Sequence, residues 1–224
     1  MRHAALKTAG ASLTALALAA GLAGCTSSGP KDVAWDPEAL QTAMTAAVGE
    51  DATVETQAFA DMPENAMEQA RPGQYAYSED CKAAWDFYEA EIADSTQGIV
   101  VGTQEREGGV MDRRLAIVAI SDDTASAESA RTAYTDMQTA CDATDGEGDA
   151  QTTRTVDGQE ARAQQASLTF GGETGVSINS FVVDSGNVSI SIQDTQTSGE
   201  PVNLDTFADD AARLAEKILE ELRG

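Results

Sequence analysis

A short apolar run near the N-terminus, ending on a cysteine, constrains this chain more than any other feature of its sequence. The run ASLTALALAAGLAG, residues 11–24, follows the basic side chains of Arg2 and Lys7 and stops at Cys25. It is shorter than the roughly 20 apolar residues that a membrane-spanning helix needs. A basic start, a short apolar core and small bordering residues are typical of a cleaved secretory signal. We therefore expect the remaining chain to fold outside the cytoplasm, where disulfides persist.

The residues around Cys25 predict a lipid anchor. LAGC, Leu22 to Cys25, resembles the lipobox of bacterial lipoproteins. The resemblance implies a signal peptide over residues 1–24, cut off before a Cys25 that carries a diacylglyceryl group and acyl chains such as palmitate. Two acyl chains give stable anchoring, whereas one gives only marginal binding. Residues 25–34 are then the lipidated cysteine and a flexible tether. The alternative is an ordinary secreted protein with a cysteine there by chance.

The charge of the chain excludes one class of partner. The sequence has 14 basic and 38 acidic side chains, and cleavage of the signal would remove two bases and no acid, so that the formal charge changes from -24 to -26. Nucleic-acid binding needs a basic surface that releases counterions, and a protein lying flat on anionic lipid needs one too. We expect no nucleic-acid partner and a surface that is mainly solvated.

Two cysteines remain after Cys25, and their even number in an extracytoplasmic chain predicts a disulfide between Cys81 and Cys141. A metal site is disfavoured because the only histidine, His3, lies in the signal and the two thiols lack a close partner cysteine. A catalytic thiol is disfavoured because it would need a histidine base. We predict no metal and no cofactor.

Residues 35–224 predict a single α+β domain, with an antiparallel sheet of about five to seven strands packed by helices and one disulfide. The helical patterns cover 35–48, 78–91, 122–141 and 204–223. Alternating or β-rich segments cover 52–59, 98–107, 111–121, 151–157, 160–170, 175–184 and 187–194. Both cysteines share a helical face with apolar side chains: Cys81 with Trp85, Tyr88 and Ile92, and Cys141 with Ala130, Tyr134 and Met137.

This order of elements resembles the PknH-like extracellular sensor domain of actinobacteria, found on receptor kinases and on free-standing lipoproteins. The resemblance covers roughly residues 75–224 and depends on the paired cysteines, on RLAIVAISDDTASAESARTAYTDMQTAC and on the strand–strand–helix ending. That family usually has a second cysteine pair in its last sheet region, which NSFVVDSGNVSISIQD lacks. The resemblance implies a non-catalytic domain with a ligand-binding cleft between helices and sheet.

Four side chains are candidates for such a cleft. Trp85, Tyr88 and Tyr134 can line an apolar pocket, although their helical spacing on the cysteine-bearing inward faces favours core packing. Arg113, with its neighbour Arg114, can bind an anionic ligand, although in a chain this acidic, pairing with nearby carboxylates is the default interpretation. The polar positions Ser177, Asn179, Ser189, Ser191 and Gln193 can bind sugar hydroxyls or simply face water. The acidic loop 142–149 lacks the register of a calcium loop, so we interpret it as solvated.

The sequence therefore predicts a membrane-anchored extracytoplasmic lipoprotein with a non-catalytic ligand-binding or sensor-like domain. Its partners are the membrane, through the anchor, and a small molecule, lipid, glycan or envelope protein. The alternatives are a carrier of lipid or another apolar ligand, and an accessory lipoprotein that contacts protein or wall polymer. We predict no enzymatic activity because the chain lacks a G-x-S-x-G motif, a P-loop and a histidine beyond the signal.

Overall fold

In the part of the chain that the structure describes, seven strands form one sheet and four helices pack on its two faces. The computed structural model describes residues 30–62, 78–106, 112–141, 150–170, 173–197 and 202–224. The helices are α1 (Pro37–Val48), α2 (Glu79–Ser95), α3 (Thr124–Ala140) and α4 (Leu204–Arg223), and a 3-10 turn covers Phe59–Asp61. The strands are β1 (Thr53–Ala58), β2 (Thr96–Glu105), β3 (Arg113–Ser121), β4 (Ala150–Val156), β5 (Gln159–Phe170), β6 (Glu173–Ser185) and β7 (Val188–Gln196).

The strand order is β1-β2-β3-β7-β6-β5-β4, and every neighbouring pair is antiparallel. The predicted α+β class is therefore confirmed. Tight turns join some of the neighbouring strands: Asp157 and Gly158 both have positive φ between β4 and β5, as a two-residue hairpin turn requires. Gly186, also at positive φ, lies between β6 and β7, where the segment DSGN predicts a tight hairpin.

The inner face of the sheet carries the main hydrophobic core, covered by α1 and α4. Alternation along each strand places Val118, Ile190 and Phe181 on this face, where all three are buried. The helices contribute side chains at helical spacing, among them Leu40, Met44, Phe207, Ala211 and Ile218. Full burial of such side chains contributes about 1.5–3 kcal/mol each for the larger ones. Most of the inner face is therefore covered by the helices of the fold itself.

The helices α2 and α3 pack against each other as an antiparallel pair beside the outer face. Ser78 caps α2 by accepting a hydrogen bond from the backbone N–H of Cys81, and Cys141 is the C-cap of α3. These two ends meet, and Cys81 and Cys141 form a disulfide with Cα atoms 4.5 Å apart. The predicted pairing is confirmed.

Residues 30–36 form a segment that we call the N-terminal strap, which lies across one end of the sheet. The backbone N–H of Val33 donates to Oδ1 of Asn187 over 2.8 Å, and Nδ2 of Asn187 donates to the carbonyls of Val33 and Ser121. Trp35 packs so closely on Gly98 that a Cβ there would lie 2.3 Å from its ring. Residues 30–34, which the sequence pattern assigned to a flexible tether, thus contact the domain, because a distant buried asparagine binds their backbone.

Replacing both bridging cysteines, Cys81→Ser with Cys141→Ser, should lower the free energy of unfolding by roughly 4 kcal/mol. Closing a loop of this length restricts the unfolded chain, and its removal restores that entropy. Urea unfolding of the two proteins measures the difference, with reduced wild-type protein as the control that should match the double variant. Ready alkylation of both thiols in the folded, non-reduced protein would show that the bridge does not form.

Candidate functional site

An open groove lies between α3 and the outer face of β5 and β6, and we call it the outer groove. Its volume is about 300 Å³. Helix α3 contributes one face at i, i+3, i+4 and i+7, while alternate residues of the two strands contribute the floor. The lining residues are Arg131, Tyr134, Thr135 and Gln138 from α3, Glu160, Arg162 and Gln164 from β5, and Ser180, Val182 and Asp184 from β6.

The lining combines one exposed aromatic ring with polar groups. Tyr134 is 43% exposed, and its hydroxyl accepts a hydrogen bond of 2.9 Å from Nε2 of Gln138. Val182 is also 43% exposed and adds an apolar patch to the floor. Arg131 and Asp184 approach to 3.7 Å across the groove. The chemistry available is stacking on the Tyr134 ring, hydrogen bonding to amides and hydroxyls, and ion pairing.

The charges of the outer groove balance. Two of its lining side chains are positively charged, Arg131 and Arg162, and two are negatively charged, Glu160 and Asp184. This balance contrasts with the chain as a whole, whose formal charge is -24. The groove is therefore a locally neutral surface on a strongly acidic protein.

The three predicted aromatic residues do come together, but only one of them lines the groove. Tyr88 lies between the other two, with ring centroids 5.8 Å from Trp85 and 5.5 Å from Tyr134. Trp85 and Tyr88 are half-buried between α2 and α3. Burial raises the pKa of Tyr88 to about 12, with a smaller contribution from Tyr134. Helical spacing predicted all three on inward faces, yet Tyr134 is exposed because α3 packs through Ala127, Ala133 and Met137.

The two neighbouring arginines point to opposite faces of the sheet. Arg113 is exposed at the start of β3 and is not among the residues that line the outer groove. Arg114 lies on the inner face, where its Nε and Nη2 donate to the two carboxylate oxygens of Asp194 over 2.7 and 2.9 Å. This hydrogen bond raises the pKa of Arg114 above its ordinary value. For Arg114, pairing with a local carboxylate is the interpretation that the structure supports.

A row of polar side chains crosses the inner face at this level and was missed from the sequence. Cross-strand neighbours in order are Gln104, Arg114, Asp194, Asn179 and Gln165. Asp194 is 1% exposed and also pairs with Arg106 over 3.0 Å. Gln165 donates to Oδ1 of Asn179 and to the carbonyl of Val202. The row closes one end of the core by polar contacts.

The strand alternation corrects the predicted polar sheet face. Ser177 and Asn179 are buried on the inner face, whereas Ser189, Ser191 and Gln193 lie on the outer face. Residues on one strand share a face only when their numbers differ by an even amount, and neighbouring strands need their register as well. The sequence alone did not supply that register between β6 and β7.

Two of the predicted features, Cys25 and the acidic loop 142–149, lie outside the described residues. Within the ranges that the structure describes, no group of three or more His, Cys, Asp or Glu side chains could hold a metal ion. Among the helices described there, none is long and apolar enough to span a membrane.

Two solved structures are similar to this chain in structure, both at low sequence identity. The extracellular domain of PknH from Mycobacterium tuberculosis is similar over 87% of this chain and 99% of that one, with 10% identity and a TM-score of 0.37. A putative uncharacterized protein, the Rv0999 ortholog from Mycobacterium smegmatis, is similar over 83% and 96%, with 11% identity and a TM-score of 0.32. No family model and no curated protein matches the chain. What this chain binds therefore has to be argued from its own residues.

The raised pKa of Tyr88 predicts a loss of stability in alkali. The unfolded chain ionises this phenol near pH 10, whereas the folded protein retains the proton until about pH 12. The stabilisation is present below pH 10 and is lost as the pH rises through about 12. Urea unfolding across this range should show a steeper loss for the wild type than for Tyr88→Phe. Equal slopes would mean that Tyr88 titrates normally in the folded protein.

Proposed function

We propose that this chain is an extracytoplasmic lipoprotein, anchored through Cys25, whose domain binds a neutral, hydroxyl-rich glycan of the cell envelope in the outer groove. The observation that carries the proposal is the open groove of about 300 Å³ with an exposed Tyr134 and mixed polar lining. An open groove accepts a segment of a long polymer, whereas an enclosed pocket accepts a whole small molecule. The role that we propose for the domain is binding without catalysis.

The lining favours a neutral ligand. Because two arginines face two carboxylates, an anionic polymer would gain contacts with Arg131 and Arg162 and meet repulsion from Glu160 and Asp184. Sugar hydroxyls donate and accept hydrogen bonds, so they can pair with both kinds of charged group and with the amides of Gln138 and Gln164. The Tyr134 ring offers the flat apolar surface on which a sugar ring can stack.

The lipid-carrier alternative finds little support in the cavity under the inner face. The cavity under the inner face, between α1, α4, β2 and β3, holds about 100 Å³. Pockets for drug-sized ligands typically hold several hundred cubic ångströms, which is far more than this volume. An acyl chain is about as large as such a ligand, so it would not fit this cavity. Its lining includes Arg114 and Gln104, which would also meet an acyl chain unfavourably. A carrier function would require a different apolar cavity.

Tyr134→Ala should weaken binding of a neutral tetrasaccharide by roughly tenfold, about 1.4 kcal/mol, because the stacking surface is lost. The probes are the tetramers of N-acetylglucosamine and of mannose, with a polygalacturonate fragment of the same length as the anionic comparison. Isothermal titration calorimetry or ligand-detected NMR measures the affinities.

The matched control is Phe87→Ala, which removes an aromatic ring that is 55% exposed on α2 and does not line the groove. This variant should bind as the wild type does. Palmitate is the probe for the carrier alternative. Stoichiometric binding of palmitate, or an unchanged saccharide affinity in Tyr134→Ala, would contradict the proposed ligand.

The anchor has a separate test that does not depend on the ligand. Mass spectrometry of the mature protein should show an N-terminal Cys25 carrying a diacylglyceryl group and acyl chains, and the protein should fractionate with membranes. Cys25→Ser should leave the membrane fraction because no acyl chain can be attached. An unmodified Cys25 in the mature wild-type protein would contradict the anchor.

A further inference from the structure

We propose that the domain stands on the membrane with the end that carries the N-terminal strap facing the lipid and the disulfide facing away. This orientation rests on the lipid anchor of the proposed function. It does not rest on the glycan. The argument combines the contacts of the strap, the number of residues between Cys25 and the strap, and the direction of the helices.

The strap is held by buried contacts at one end of the sheet, which we call the strap end. Val33 is 7% exposed and Asn187 only 1%, so the hydrogen bonds between them are shielded from water. Upstream of Val33, Oδ1 of Asp32 accepts from the hydroxyl of Thr124 over 2.7 Å. Pro30 lies beside the turn at Gly186, where a Cβ would be 3.3 Å from the proline. The chain therefore leaves the domain at the strap end.

The lipid must lie close to that exit. Four residues lie between Cys25 and Pro30, and a fully extended chain covers at most about 17 Å between the two. The domain is larger: α2 and α3 have 17 residues each, or about 25 Å along the helix axis. A connection of this length is shorter than the helices, so the domain cannot turn over and stand with the disulfide against the lipid while the strap stays bound.

The helix directions place the disulfide at the opposite end. Helix α3 begins with Thr124 beside the strap and ends at Cys141, and α2 returns from Cys81 to Ser95. Along α3, Arg131 lies about 10 Å and Gln138 about 21 Å from the first residue of the helix. The part of the outer groove that α3 lines thus lies above the lipid, on the side of the domain.

Charge does not supply a competing orientation. The sequence has 14 basic side chains against 38 acidic ones, and several of the described arginines already pair with aspartates, as Arg114, Arg154 and Arg223 do. Attraction to anionic lipid requires clustered bases. The position of the anchor is therefore the dominant constraint on how the domain stands.

The two tryptophans of the chain provide natural reporters for a test. Trp35 belongs to the strap, whereas Trp85 lies ten residues before the end of α2, about 15 Å farther from the strap end. Lipidated protein is reconstituted in phosphatidylcholine vesicles that contain dansyl-labelled phosphatidylethanolamine. Energy transfer to the dansyl group is measured for Trp85→Phe, which reports Trp35, and for Trp35→Phe, which reports Trp85.

We expect stronger transfer from Trp35 than from Trp85. If Trp35→Phe disturbs the strap, the Trp85 signal is obtained instead by subtracting the Trp85→Phe signal from that of the wild type. Inserting a flexible linker of roughly fifteen glycine and serine residues between Gly29 and Pro30 should reduce the difference, since the domain can then turn over.

Flotation of the vesicles separates the two possible failures. Protein that does not float lacks the anchor, and both the proposed anchoring and the orientation are then wrong. Protein that floats with equal transfer from both tryptophans, or with stronger transfer from Trp85, retains the anchor and overturns the orientation alone.

Discussion

The side chain of Asn187 is the contact on which the arrangement of this domain depends most. It lies in the turn between β6 and β7, is almost fully buried, and makes three hydrogen bonds of 2.8 Å to the backbone of the strap and of β3. Its own carbonyl accepts from the backbone N–H of Ser121. Removing it would leave buried backbone groups unpaired, at a cost of about 1–3 kcal/mol for each. One short side chain thus joins the N-terminal segment to the centre of the sheet.

The two faces of the sheet differ in how completely the helices cover them. On the inner face, apolar side chains pack against α1 and α4, and Asp194 of the polar row pairs with Arg106 and Arg114. On the outer face, α2 and α3 cover only part of the strands, so the polar positions of β5 and β6 stay accessible beside Tyr134. A ligand can reach the outer groove without displacing any of the core. This is why the proposed binding surface lies there and not under the helices of the inner face.

Much of the fold could be predicted, because period-two and helical patterns are local. The seven strands, the four helices and the pairing of Cys81 with Cys141 follow from such patterns and from the cysteine count. The groove could not be predicted, since it depends on which faces of α3, β5 and β6 meet across long stretches of sequence. Asp194 was missed for the same reason: it reads as a surface acid until the register sets it opposite Arg114. The fixed position of residues 30–34 against the domain depends on Asn187, which is 154 positions away from Val33 and was therefore not visible in the local pattern.

Hydrogen exchange of the Val33 amide measures directly whether the strap is a part of the folded domain. This amide belongs to a buried residue and donates to Oδ1 of Asn187. NMR exchange measurements should therefore show protection close to that of core amides such as those of β3 and β7, and Asn187→Ala should abolish the protection at Val33 while most of the sheet stays protected. Exchange at Val33 as fast as in an unstructured peptide would show instead that the strap is a free tether.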